Sequence, residues 1–193
     1  MIQYPSGKKS NNRNSKTLSS AKRGMALEDD INISNAYYNS NLIAVIHKKP
    51  TPIQVVRVDY SALKHARISE AYYTQASTTD YNGVYEGYAV DFEAKETKNK
   101  TSFPLASIHK HQLDHMQSVL KHKAITFLII RFSYHNETYL VYAEDLFNFI
   151  ENTDRKSIPF DWIKQEGHLI PYRYQIPCDY ISILNEKRDK EKL

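Results

Sequence analysis

The 193 residues, 41% hydrophobic and 25% charged, fit a soluble globular chain able to bury the core of one medium domain. No apolar run reaches bilayer-spanning length, and the polar start lacks the apolar core of a signal peptide. The single cysteine, Cys178, excludes an internal disulfide and a cysteine-built zinc site, so a reducing cytoplasm is the expected setting.

The formal net charge of +4 is modest but unevenly placed. Lys8, Lys9, Arg13, Lys16, Lys22 and Arg23 all precede the first acidic residue, Glu28, and are interleaved with Ser, Asn and Gly that offer little to bury. Residues 1–22 therefore read as a flexible basic arm suited to phosphate backbones. Residues 24–38 read as a first helix carrying Leu27 and Ile31, and residues 42–47 as a buried strand ended by Pro50-Thr51-Pro52. Residues 53–60 and 66–73 read as two strands around a turn, a ribbon with positive charge from Arg57, Lys64 and Arg67. Its Tyr72 and Tyr73 can stack on splayed bases or pack on the body, and composition leaves both open.

The stretch from 78 to 97 is the chemical centre. Asn82-Gly83 is a turn signal, since both residues tolerate positive φ. In the strand that follows, period two puts Tyr88, Val90, Phe92 and Ala94 on an apolar face and Asp91, Glu93 and Lys95 on the other. Asp80 and Glu93 can offer hard oxygen ligands to Mg²⁺, and Lys95 can reach an attacking water or the charge that builds on a phosphate. The same three residues on an exposed strand face can equally be a cross-strand ion-pair set.

Residues 107–121 read as a helix with Leu113, Met116 and Leu120 turned inward. His111 and His115 are four apart, but the glutamate of a zinc-protease motif and a third ligand are missing. Residues 124–132 are nearly all apolar, as in a central strand covered on both faces. Residues 138–142 pair back, short helices follow near 143–151 and 160–166, and residues 186–193 read as a charged tail.

Residues 77–85 (STTDYNGVY) and 91–105 (DFEAKETKNKTSFPL) resemble the signature of the RecU-type Holliday junction resolvases. Arg23-Gly24-Met25 with Leu27-Glu28, residues 43–52 (IAVIHKKPTP) and residues 127–132 (FLIIRF) are similar to that family in the same order. The resemblance implies a PD-(D/E)xK nuclease with catalytic Asp80, Glu93 and Lys95, and a Mg²⁺ ion, with Mn²⁺ as the alternative, held by Thr78, Asp80, Glu93 and Gln112. It implies that residues 53–73 form a stalk engaging the branch point of a four-way DNA junction, and that a homodimer cuts two opposed strands. Glu28 is a secondary candidate, because related nucleases carry an acid on the first helix. A helix-terminal glutamate is otherwise explained by the helix dipole.

The expected fold is a single α/β domain, 23–185, with a central mixed β-sheet flanked by helices and a projecting β-ribbon. A different nuclease on the same core, or a non-catalytic DNA-binding module, are the rival readings, and intact Asp80, Glu93 and Lys95 argue against the second. Deleting residues 1–22 removes four lysines and one arginine. The truncated chain is expected to bind a four-way junction more weakly, its log–log salt slope falling by roughly 0.9 per lost phosphate contact; an unchanged slope in a salt titration would make the arm a bystander.

Overall fold

The computed structural model describes residues 20–59, 67–73 and 78–191, with side chains from 27 to 59, 67 to 73 and 78 to 186. In chain order these form α1 (Ser20–Ser40), β1 (Val45–Lys48), β2 (Ile53–Asp59), β3 (Arg67–Tyr73), β4 (Tyr81–Tyr85), β5 (Tyr88–Thr97) and β6 (Ser102–Pro104). After a 3₁₀ turn at Leu105–Ser107 come α2 (Lys110–Lys121), β7 (Ile125–Phe132), β8 (Glu137–Tyr142), α3 (Ala143–Asn152), β9 (Ser157–Pro159), α4 (Phe160–Glu166), β10 (His168–Leu169) and α5 (Tyr180–Glu191). Among the described residues no helix is long and apolar enough to cross a membrane.

One six-stranded mixed sheet, in the order β1-β4-β5-β7-β8-β10, organises the molecule. Only β5 and β7 run parallel, because α2 lies between them in sequence and carries the chain back across one face. β7 is buried on both sides, as its apolar run requires: Phe127 and Ile129 face one core, Leu128 and Ile130 the other. The first core packs the sheet against α1 and α5 through Leu27, Ile31, Tyr38, Tyr180 and Leu184. Tyr81, Phe92 and Phe127 are direct cross-strand neighbours within it, and their rings stack with centroids 4.8 and 4.6 Å apart. Such pairs stabilise by about 0.5–1.5 kcal/mol beyond their burial. The second core packs the other face on α2, α3 and α4 through Phe103, Met116, Leu146 and Ile163.

Several expectations need correction. Asn82-Gly83 is not the hairpin turn but lies inside β4, and the turn is Glu86-Gly87, both at positive φ (46° and 85°). Gly83 is there for a different reason: a Cβ on it would stand 2.0 Å from the Val45 carbonyl oxygen, so β1 passes too close for any side chain. The stretch 42–47 is not a buried strand. β1 is the sheet edge, where only Ile46 of its four residues is buried and Leu42 just before it is 94% exposed, because α1 covers one face only.

The tail also contains more order than expected. Pro171 and Pro177 break the chain, but α5 then forms on the apolar spacing Tyr180, Ile181, Ile183 and Leu184, all buried. α2 begins at Lys110 rather than near 107, since His109 and Gln112 close a capping box there. The ribbon of β2 and β3 is antiparallel and stands apart from the main sheet, with every residue exposed except half-buried Val58. Residues 60–66, including Lys64, and the basic residues Lys8, Lys9, Arg13 and Lys16 lie outside the described residues.

Gly83→Ala is expected to destabilise the fold by about 2–3 kcal/mol, by overpacking against backbone that cannot retreat. Gly87→Asn should cost less, since Asn accepts positive φ and nothing lies within 4 Å of that position. Denaturant unfolding of both variants provides the comparison, and equal losses would remove the close-approach explanation.

Candidate active site

The β4–β5 ladder ends at the pair Tyr81 and Phe92. One step beyond, side chains replace the backbone pairing: the Asp80 N–H donates to Glu93 Oε2 at 3.0 Å, and the Ala94 N–H donates to Asp80 Oδ2 at 3.2 Å. Each carboxylate is thus fixed by the other strand's main chain. Glu93 is fully buried, and its Oε1 accepts from Gln112 Nε2 at 2.7 Å and from Lys95 Nζ at 2.5 Å. Asp80, Glu93, Lys95 and Gln112 are therefore one contiguous cluster.

Burial and the neighbouring Asp80 charge push the Glu93 carboxyl up to about 7, with Lys95 opposing them. With two carboxylates to one ammonium the cluster is short of positive charge, and carboxylate oxygens suit a divalent cation. Among the described residues, however, no group of three or more His, Cys, Asp or Glu side chains is placed to hold one. Two features qualify the ligand set. Gln112 spends its side-chain oxygen on the His109 N–H at 3.0 Å and presents nitrogen to Glu93, so it orients Glu93 in this arrangement rather than offering an oxygen. Thr78 is half-buried, and its hydroxyl lies 3.1 Å from the Lys49 ammonium.

Glu28 sits on α1 in an ion pair with Lys48, the residue that pairs with Tyr81 across β1 and β4. On the ribbon, Arg57 lies 3.6 Å from Asp59, the Tyr72 hydroxyl donates to Glu70, and Tyr73 is 81% exposed. Arg67 opposes Asp59 across the ribbon. Lys22 and Arg23 lie in α1, and their side chains are outside the described residues.

The structure adds four residues that sequence reasoning left out of the site: Lys49, Thr79, Asp91 and His115. Asp91 is buried on the same strand face as Glu93, two residues before it, and takes an ion pair from Lys49 at 2.7 Å. Thr79 is buried and donates to Asp91, while His115 Nε2 lies 3.3 Å from Asp91. The strand period and the three-residue step from Gln112 to His115 carried a signal for two of them. For Lys49, separated from Asp91 by 42 positions, there was none.

In the native chain Glu93 keeps its proton to about pH 7, against about 4.5 when unfolded, so the native state binds more protons in between and its stability falls as pH rises through that window. Asp80→Asn removes the repelling charge and keeps the shape. In EDTA at pH 8 it is expected to stabilise the chain by about 1 kcal/mol, about 2–4 °C in melting temperature, with the gain shrinking at pH 5, where wild-type Glu93 is already protonated. Melting curves at both pH values check this, and an Asp80→Asn chain that melts below wild type at pH 8 would refute the charge repulsion.

The family model described as Recombination protein U matches residues 22–186. A Holliday junction resolvase RecU of Geobacillus kaustophilus (strain HTA426) is 54% identical over 192 residues, covering 95% of this chain and 96% of that protein. A second, from Geobacillus sp. (strain WCH70), is 57% identical over 167 residues, covering 85% and 83%. The solved structure of Archaeoglobus fulgidus Hjc, described as a Holliday junction resolvase from an archaeal hyperthermophile, aligns with a TM-score of 0.43 at 8% identity over 77% of this chain and 92% of that one. With a family match over most of its length and relatives above half identity, this chain belongs to the Recombination protein U family.

Proposed function

We propose that this protein resolves four-way DNA junctions by cutting their phosphodiester backbones during recombination and repair. The observation that carries the reaction is the joined cluster of Asp80, Glu93 and Lys95, in a family whose relatives are named Holliday junction resolvases. Thr78, Asp80 and Glu93 would hold a Mg²⁺ ion, with Mn²⁺ as the alternative, and Gln112 would join them if its amide turned over. The ion would supply charge to the phosphate and acidity to a bound water.

The chain's own residues account for the remaining steps. Glu93, whose proton affinity is raised by burial and by Asp80, would have to release its proton to hold the cation, so cation binding and its deprotonation are coupled. Lys95 is partly exposed beside it, and its ammonium orients the water and answers charge on the phosphate oxygens. Gln112 and the Asp80 N–H keep Glu93 in a single orientation, so little reorganisation is needed at the moment of reaction.

The exposed ribbon of β2 and β3 is the element suited to the branch point, with Arg57 and Arg67 for phosphates and Tyr72 and Tyr73 for splayed bases. A homodimer would set two such sites against two opposed strands, matching the two-fold symmetry of the junction. The basic arm would add sequence-independent affinity, and the cytoplasm is where such DNA lies.

The test is cleavage of a synthetic four-way junction and of the matching linear duplex in Mg²⁺. Wild type is expected to cut the junction faster, Asp80→Ala and Glu93→Ala to bind it but leave it uncut, and Tyr72→Ala with Tyr73→Ala to lower junction affinity more than duplex affinity. Each lost stack should cost about 1–3 kcal/mol where a base is engaged. Equal rates on the two substrates would point to a nuclease of another specificity, and turnover by Asp80→Ala would overturn the site.

A further inference from the structure

Lys49 directly follows β1, and its ammonium is enclosed. Nζ lies 2.6 Å from Thr79 Oγ1, 2.7 Å from Asp91 Oδ2 and 3.1 Å from Thr78 Oγ1. Those three acceptors match the three protons of an ammonium, so none is left over for a ligand. The side chain is 14% exposed and that of Asp91 9%, which makes this a largely desolvated pair that needs all of its partners. The Lys49 N–H also donates to the Asp80 carbonyl oxygen at 2.8 Å. One residue therefore holds three consecutive positions, 78, 79 and 80.

Its anchor reaches the rest of the cluster by a second route. Asp91 accepts from the Thr79 hydroxyl, and His115 Nε2 stands 3.3 Å from Asp91 Oδ2 and 3.4 Å from Lys49 Nζ. His115 is three residues after Gln112 on α2, and Asp91 two before Glu93 on β5, so helix and strand are tied twice in parallel, Gln112 to Glu93 and His115 to Asp91. In sequence, β2 begins four residues after Lys49, and Thr78 is the first described residue after β3.

We propose that Lys49, anchored by Asp91 with Thr79 and His115, is a positioning group that fixes residues 78–80 against β5 and so sets the cation affinity of the Asp80 and Glu93 pair. It makes no contact with DNA in this role. The inference rests on the metal-site reading above and concerns what holds that site in shape.

The experiment measures Mn²⁺ binding to the DNA-free full chain by electron paramagnetic resonance, together with junction binding in EDTA, for wild type, Lys49→Met, Asp91→Asn and Asp80→Ala. Loss of a residue supporting a metal ligand costs about 10–100-fold in metal affinity or activity. Lys49→Met and Asp91→Asn are expected to bind Mn²⁺ at least about tenfold more weakly, with junction affinity in EDTA unchanged. Half-saturating Mg²⁺ for cleavage should rise in parallel, and excess Mg²⁺ should restore turnover. If Lys49→Met fails to fold by its melting curve, Asp91→Asn, which keeps the shape of the side chain, carries the test. Folded variants with wild-type Mn²⁺ affinity overturn the proposal, and so does a loss of junction binding in EDTA without a change in Mn²⁺ affinity, which would make Lys49 a phosphate contact. If Asp80→Ala binds Mn²⁺ like wild type, the metal-site reading fails and takes the proposal with it, a result distinct from failure of the clamp alone.

Discussion

Two carboxylates facing each other across the end of the β4–β5 ladder are the constraint around which the structure is built. Asp80 and Glu93 occupy the place where the next backbone pair would be, and each accepts an N–H from the opposite strand. Two like charges in a buried setting oppose folding, as the raised Glu93 carboxyl records. Stability must come from elsewhere, and directly beneath lies the stacked ladder of Tyr81, Phe92 and Phe127, braced by Tyr180. Strand alternation puts Phe92 on one face of β5 and Asp91 and Glu93 on the other.

Helix α2 supplies what the strands alone cannot. A carboxylate at the end of a ladder is free to rotate unless something bonds its outer oxygen, and Gln112 does that for Glu93. The helix can do so because β5 and β7 are parallel and the connection between them crosses the sheet on the acidic face. Met116 on the same helix is fully buried and fixes its depth against the second core. Topology, packing and the orientation of one side chain are therefore linked.

The ribbon follows the opposite logic. Ile53, Val55, Val56, Ile68, Tyr72 and Tyr73 are all exposed on a two-stranded element separate from the main sheet. Such an element gains little from burial and is marginal by itself, while apolar and aromatic surface left in solvent marks a contact face. In sequence the ribbon is flanked by Lys49 and Thr78, whose side chains are hydrogen-bonded to each other.

The sequence alone determined whatever depends on local periodicity. The double-sided burial of β7, the division of β5 into an apolar and a chemical face, the trio of Asp80, Glu93 and Lys95, and the family resemblance were legible, because strand alternation and short motifs are properties of neighbouring residues. Tertiary structure decided what depends on approach between distant segments. Asn82-Gly83 has the composition of a turn, yet Gly83 answers to the passing backbone of β1, and the turn fell at Glu86-Gly87. The stretch before Pro50 has the composition of a buried strand, but edge position left its outer face in solvent. Glu28 pairs with Lys48, and Lys49 with Asp91 across 42 positions, because ion pairs form between whichever charges the fold makes adjacent, and that adjacency is not written in either segment alone.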